Sequence, residues 1–275
     1  MYSPPLNDVD AQRLTAAHAA AAAALGATTT GDPVWGWHGR TLGRRADHPV
    51  HGACWLRLLS APAEKAGGKL WDGTELAGRL FTGVHKPALH ALHDATADGH
   101  AYRAELTEFI DDPVLSPEPV LRHELELTDT WFKSIRTDLD TIAAAPTNRI
   151  GVRQQWIDRA VPTYAGVPAP QITEWSCSHG DFHTSNITTT GVILDWEGFG
   201  LAPRGWDHAL LYAYSLLAPA TSARIRAEFA HILDTEAGRT AQLVVAADLL
   251  QSASRGDHPE LIVPLRAVVT SLTGQ

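Results

Sequence analysis

Ser178-His179-Gly180-Asp181-Phe182-His183-Thr184-Ser185-Asn186, followed shortly by Ile193-Leu194-Asp195-Trp196-Glu197-Gly198, decides how this chain is read. Asp181 precedes Asn186 by five positions, and Asp195 follows Asn186 by nine. Ile187 and Val192-Ile193-Leu194 flank these polar residues. The pattern predicts a loop carrying Asp181 and Asn186, then a hairpin-like strand that delivers Asp195 at its end. Phosphoryl transfer needs such a set: one carboxylate to orient the attacking hydroxyl, and an amide oxygen with a second carboxylate to hold Mg²⁺ on the phosphates. Asp181 is the candidate catalytic residue. A carboxylate is a weak base, but a loose transition state requires little proton abstraction, so positioning carries most of the effect. Asn186 and Asp195 supply the hard oxygen donors that Mg²⁺ prefers. In an extended segment Glu197 would point to the same side as Asp195, where it would support a second ion or be solvated. His179 reads as a hydrogen-bonding brace of the loop.

Outward from this stretch, composition narrows the class. The chain has 275 residues, 44% apolar and 19% charged, which is globular and long enough for one large domain or two modest lobes. A net charge of -9 argues against nucleic-acid and anionic-membrane partners, which need a basic face, and suits a cationic small molecule. Cys54 and Cys177 are far apart, outside any CxxC pair and set among strand-like neighbours, as reduced structural thiols of a cytoplasmic protein would be. No apolar run approaches the ~20 residues of a membrane span. The alanine run Ala19 to Ala24 lacks a basic flank and reads as helix rather than as a targeting segment.

In chain order, Asn7 or Asp8 caps a helix that stops at Gly26, and Thr28 to Pro33 reads as a linker. From Val34 to about Ser60, Trp35, Trp37, Thr41, Leu42 and Cys54 to Leu59 predict three antiparallel strands. Gly36, Gly39 and Gly43 lie near a first hairpin but do not reproduce GxGxxG. Trp71 to Leu80 reads as a helix capped by Asp72, and Ala88 to Ile110 as a hairpin turning at Asp98-Gly99. The proline-rich, acidic stretch Asp111 to Pro119 is the expected hinge, which places lobes at 1–110 and 111–275. Helical periodicity then covers 127–145, 148–165, 206–217, 220–233, 237–253 and 259–272. The expected class is α+β and bilobal: a small N-terminal antiparallel-sheet lobe and a larger, mostly helical C-terminal lobe, with a cleft for ligand between them.

A rival chemistry uses some of the same residues. His179, Asp181 and His183 form His-x-Asp-x-His, and two imidazoles with a carboxylate can bind zinc for hydrolysis. That reading requires further ligands and leaves Asn186 and Asp195 without a role.

His179 to Asn186 and Ile193 to Glu197, followed by Gly198-Phe-Gly-Leu-Ala-Pro-Arg-Gly-Trp-Asp207, resemble the aminoglycoside phosphotransferase and choline-kinase-like family. About thirty residues match closely, and the lobe order extends a looser match over most of the chain. The resemblance implies a protein-kinase-like fold, ATP or GTP as donor, Mg²⁺, and phosphorylation of a small-molecule hydroxyl. The acceptor would be an aminoglycoside or another antibiotic, a metabolite, a sugar or an amino alcohol, and the protein a monomer or dimer. Carried over, Asp181 is the catalytic aspartate, Asn186 and Asp195 are the metal ligands, and Asp207 braces the loop. The nucleotide base would lie at the hinge, near Glu108, Phe109 and Ile110. The acceptor would lie toward Trp206, Tyr212, Tyr214, Asp207 and Asp234. The first half departs from the family pattern: where a lysine is expected on the third strand the chain has Arg57, with Glu75 as its expected helix partner. Arginine keeps the charge but not the point-charge geometry, so either Arg57 contacts the phosphates or another cation, Lys65, Lys69 or Lys86, takes its place. A nucleotide-binding pseudokinase or regulatory module therefore stands as the alternative.

Overall fold

The computed structural model describes residues 3–36 and 39–274, so Trp37, one of the expected strand residues, lies outside it. Two units emerge: Met1–Arg79 with Lys86–Asp111, and Leu80–His85 with Asp112–Gln275.

In the first unit, helix α1 (Asp8–Ala24) starts where Asn7 Oδ1 accepts from Val9 N–H at 2.9 Å, the N-cap read from sequence. Five antiparallel strands follow: β1 (Thr28–Trp35), β2 (Thr41–His48), β3 (Gly52–Pro62), β4 (Leu89–Ala97) and β5 (His100–Glu108), in the order β1-β2-β3-β5-β4. The expected linker Thr28 to Pro33 is part of β1. Its three threonines are β-branched and pair with β2, and Pro33 falls where the register shifts between Thr30 and Val34. Such a bulge on an edge strand needs no ladder donor from proline. Gly43 is set by packing: a Cβ there would lie 2.3 Å from the Trp55 indole. Asp98 and Gly99, with φ of 50° and 73°, form the tight β4–β5 turn. Leu14, Ala21 and Ala22 of α1 pack on Ala46, Cys54, Leu56, Leu58, Ala104 and Leu106. By strand alternation, Trp55, Arg57 and Leu59 occupy the opposite face. Helix α2 (Lys69–Leu80) begins before Asp72, which lies inside its first turn rather than capping it.

In the second unit, α3 (Asp129–Ala144) is capped by Thr128, whose Oγ1 accepts from Trp131 N–H at 3.1 Å. The predicted helix over 148–165 is shorter: α4 (Gln154–Ala160) runs into a π-turn at Val161–Ala165. Residues ahead of it are extended instead, Arg149 O accepting from Leu201 N–H at 2.7 Å and Gly151 N–H donating to Leu201 O at 2.9 Å. Strands β6 (Trp175–Ser178) and β7 (Gly200–Pro203) pair antiparallel. After them come α5 (Trp206–Tyr214), α6 (Pro219–Glu228), α7 (Ala230–Leu233), α8 (Glu236–Ser254) and α9 (Ile262–Thr273). Helix α8 carries buried Val244, Val245, Ala246, Ala247, Leu249 and Leu250 through the core. Cys54 in β3 and Cys177 in β6 are both buried thiols; burial, with the Asp207 charge adding to it, pushes Cys177 up to about 12. Among the described residues no helix is long and apolar enough to cross a membrane.

Candidate active site

The loop after β6 is built on its own backbone. Gly180 has φ 91°, and a Cβ there would meet Gly198 O at 2.7 Å, so only glycine fits the turn. Asp207, in the first turn of α5, accepts from His179 N–H at 2.7 Å and from Gly180 N–H at 3.0 Å. Its carboxylate is buried, and burial pushes its pKa up while His179 and these two N–H groups pull it back. His179 Nε2 donates to Leu194 O at 2.8 Å, and its Nδ1 accepts from Asp181 N–H at 3.4 Å. Both ring nitrogens of His179 therefore face backbone groups, which is the geometry of a brace. Zinc held by His179, Asp181 and His183 would need one of those nitrogens. Among the described residues no group of three or more His, Cys, Asp and Glu side chains is placed to hold a metal ion.

Asp181 emerges from this turn with its carboxylate 53% exposed. Oδ1 lies 3.2 Å from His183 Nε2, and Oδ2 accepts from Asn186 Nδ2 at 3.2 Å. The same amide nitrogen donates to Asp181 O at 2.9 Å, which closes the five-residue loop and turns the Asn186 carbonyl oxygen the other way. Crowding by the protein works to raise the Asp181 pKa. His183, His179 and the Asn186 amide outweigh it, and the carboxyl is held below the usual range. Asp181 is thus an ionised, reachable acceptor at neutral pH.

Asp195 follows through a short bridge, Ile187 to Ile193, with Leu194 N–H donating to Asn186 O at 2.8 Å. Leu194, the residue before Asp195, thereby ties the Asn186 turn to His179. Asp195 itself is exposed and adopts φ 56° and ψ 68°, a left-handed conformation that costs a non-glycine residue about 1–3 kcal/mol. Trp196 holds it there. This buried indole donates from Nε1 to Ile193 O at 2.8 Å and packs against His179 and Phe81, each with ring centroids 4.8 Å away. The segment is not extended as expected: Trp196–Gly198 is a 3₁₀ turn, so Glu197 does not share a face with Asp195 by strand alternation. Glu197 O instead accepts from Arg149 at 3.0 Å. Asn186 Oδ1 and the Asp195 carboxylate are both hard oxygen donors, a set that fits Mg²⁺.

In the first unit the expected ion pair is rearranged. Arg57 faces Glu105 at 3.6 Å. Glu75 turns to Arg103 at 3.2 Å and Arg79 at 2.5 Å instead of Arg57. At the end of β5, among the expected hinge residues, two backbone N–H groups are already paired. Glu108 N–H donates to Ala88 O at 2.8 Å and Phe109 N–H to Ala53 O at 3.2 Å, so neither is available to read a base edge. Phe109 also carries the Arg45 guanidinium 4.6 Å above its ring.

Two further residues lie near Asp181. Sequence spacing offers His183 only as a zinc ligand, yet it is buried beside the Asp181 carboxylate, with Ser185 Oγ 3.0 Å from Nδ1 and Tyr214 edge-on to its ring. Asp248 lies within the field of Asp181. Burial pushes its carboxyl up to about 6, Arg255 opposes this, and the Asp181 charge adds to it. Its signal was available: a single carboxylate in an otherwise apolar stretch of α8, Val244 to Leu250.

Neither the protein-family models nor the curated proteins include a match to this chain. Solved structures do. Aminoglycoside phosphotransferase APH(4)-Ia superposes with a TM-score of 0.61 at 13% identity, over 94% of this chain and 97% of that one. Amicoumacin kinase hAmiN, in complex with AMP-PNP, Ca²⁺ and Ami, gives 0.55 at 12% identity, over 95% and 96%. The GDP and kanamycin complex of APH(2")-IIia gives 0.52 at 12%, over 90% and 92%. At these identities the likeness establishes the fold: this chain has the protein-kinase-like fold of the aminoglycoside phosphotransferases.

Proposed function

We propose that this chain transfers the γ-phosphate of a purine nucleoside triphosphate to a hydroxyl of a small molecule. The observation that carries the proposal is the closed loop of Asp181, His183 and Asn186, braced by Asp207 and followed by the strained Asp195. In this reading Asp181, ionised and half-exposed, accepts a hydrogen bond from the acceptor's hydroxyl and aims its oxygen at the γ-phosphorus. As the new P–O bond forms, the bond to the bridging oxygen breaks, the nucleoside diphosphate leaves, and the hydroxyl proton passes to Asp181 late. Asn186 Oδ1 and Asp195 would hold Mg²⁺, which when bound neutralises phosphate charge. Arg57 is the cation proposed to face the phosphates. The neighbours of like fold were solved with nucleotides and antibiotics, which supports a small-molecule acceptor here, and the net charge of -9 suits a cationic one.

The test is a nucleotide-consumption screen over hydroxyl-bearing small molecules, with ATP and GTP in parallel and Asp181→Asn as the control. Consumption that depends on both acceptor and Asp181 is the expected result. The rearranged Arg57 and Glu75 pairing favours one second reading, a nucleotide-binding module without transfer. That reading predicts nucleotide affinity and no acceptor-dependent consumption anywhere in the screen.

A further inference from the structure

On the sheet face turned away from α1, two arginines stand on neighbouring rungs of the β3–β5 ladder. Arg57 is the register partner of Glu105, and Leu59 that of Arg103. Arg103 is almost wholly buried. Its Nε and Nη2 each donate to the Asp94 carboxylate at 2.8 Å, and its Nη1 donates to Trp71 O at 3.2 Å. The same Nη1 lies 3.4 Å from Asp72 and 3.2 Å from Glu75 on α2. The helix glutamate is therefore committed to Arg103, with Arg79 as its second partner. Arg57 has its carboxylate within the sheet: Glu105, 2% exposed, on a central strand.

We propose that Glu105, and not the α2 glutamate, is the positioning residue for the phosphate-facing cation. This rests on the phosphotransferase reading, in which Arg57 contacts nucleotide phosphate. Two central antiparallel strands fix the Arg57–Glu105 rung, and burial of Glu105 limits screening of the pair. Helix α2 is secured separately through Arg103. The nucleotide grip is thus set inside the sheet.

The measurement is titration calorimetry of Mg-ADP and Mg-GDP into the full chain, comparing wild type with Glu105→Gln, Glu75→Gln, Arg57→Met and the double variant Glu105→Gln/Arg57→Met. Glu105→Gln and Arg57→Met should each weaken binding by about tenfold or more, and the double variant should bind no more weakly than Arg57→Met alone. Glu75→Gln should stay within about twofold, because Asp72 and Asp94 still hold Arg103. A Glu75→Gln loss as large as that of Arg57→Met, or a folded Glu105→Gln with wild-type affinity, overturns the proposal. Should Glu105→Gln not fold, Glu75→Gln against Arg57→Met still decides. If the wild-type chain binds neither nucleotide, the phosphotransferase reading fails and takes the proposal with it. If wild type binds and only the ranking of variants is reversed, the proposal alone fails.

Discussion

At the scale of single residues, Asp181 owes its character to its neighbours. His183 and Asn186 occupy one oxygen each, which fixes the carboxylate plane and keeps it ionised below the usual carboxylate range. His183→Phe keeps an aromatic edge for Tyr214 but removes the contact to Oδ1. It should lower kcat about ten- to a hundredfold with little change in nucleotide KM, as loss of one charge-assisted hydrogen bond implies. Steady-state kinetics at saturating nucleotide checks this. Asp248 gives a pH test. Its folded pKa is raised, so the unfolded chain ionises first as pH rises, and a stability cost appears between about 4 and 6 and persists above. Asp248→Asn should therefore raise Tm at pH 8, by at most about 3 kcal/mol of stability, and change it little at pH 4. The spacing of Asp181, Asn186 and Asp195 is legible because their offsets are short-range. The placement of His183 and Asp248 is not, because each depends on which side chains the fold brings near Asp181.

At the scale of elements, the segment between α2 and β4 is anchored where the exposed His85 meets the buried Asp138. His85 Nδ1 lies 2.9 Å from Asp138 Oδ2, whose side chain is fully buried in α3, and His85 O accepts from Ile193 N–H at 2.8 Å. The anchor thus reaches the backbone two residues before Asp195. Asp138→Ala should destabilise the protein by about 2 kcal/mol or more in urea unfolding, and should lower activity through Asp195. An Asp138→Ala variant as stable as wild type would remove this element from the account. Strand β1 and the shortened α4 show where periodicity misleads. Threonines beside a glycine and a proline read as a linker until β2 supplies their partners, and Arg149 and Ile150 leave a helical pattern because Leu201 captures their backbone.

At the scale of the whole molecule, the order of sheet unit and helical unit was legible from the change of period along the chain. That Leu80–His85 sorts with the second unit was not, since it depends on the contacts to Asp138 and Ile193, more than 50 residues away in sequence. Binding to the native state alone predicts a thermal shift. Mg²⁺ with ATP or GTP at about 100 times Kd should add about 2.7 kcal/mol of stability, and the gain should be lost on chelation. The central claim is that Asp181 aims an acceptor's hydroxyl at a nucleotide phosphate. The most direct measurement is acceptor-dependent phosphate transfer by Asp181→Asn beside wild type, with nucleotide affinity measured on the same samples. The account predicts a loss in kcat of about 10²–10⁴-fold with nucleotide Kd nearly unchanged. Transfer by Asp181→Asn at the wild-type rate would contradict it.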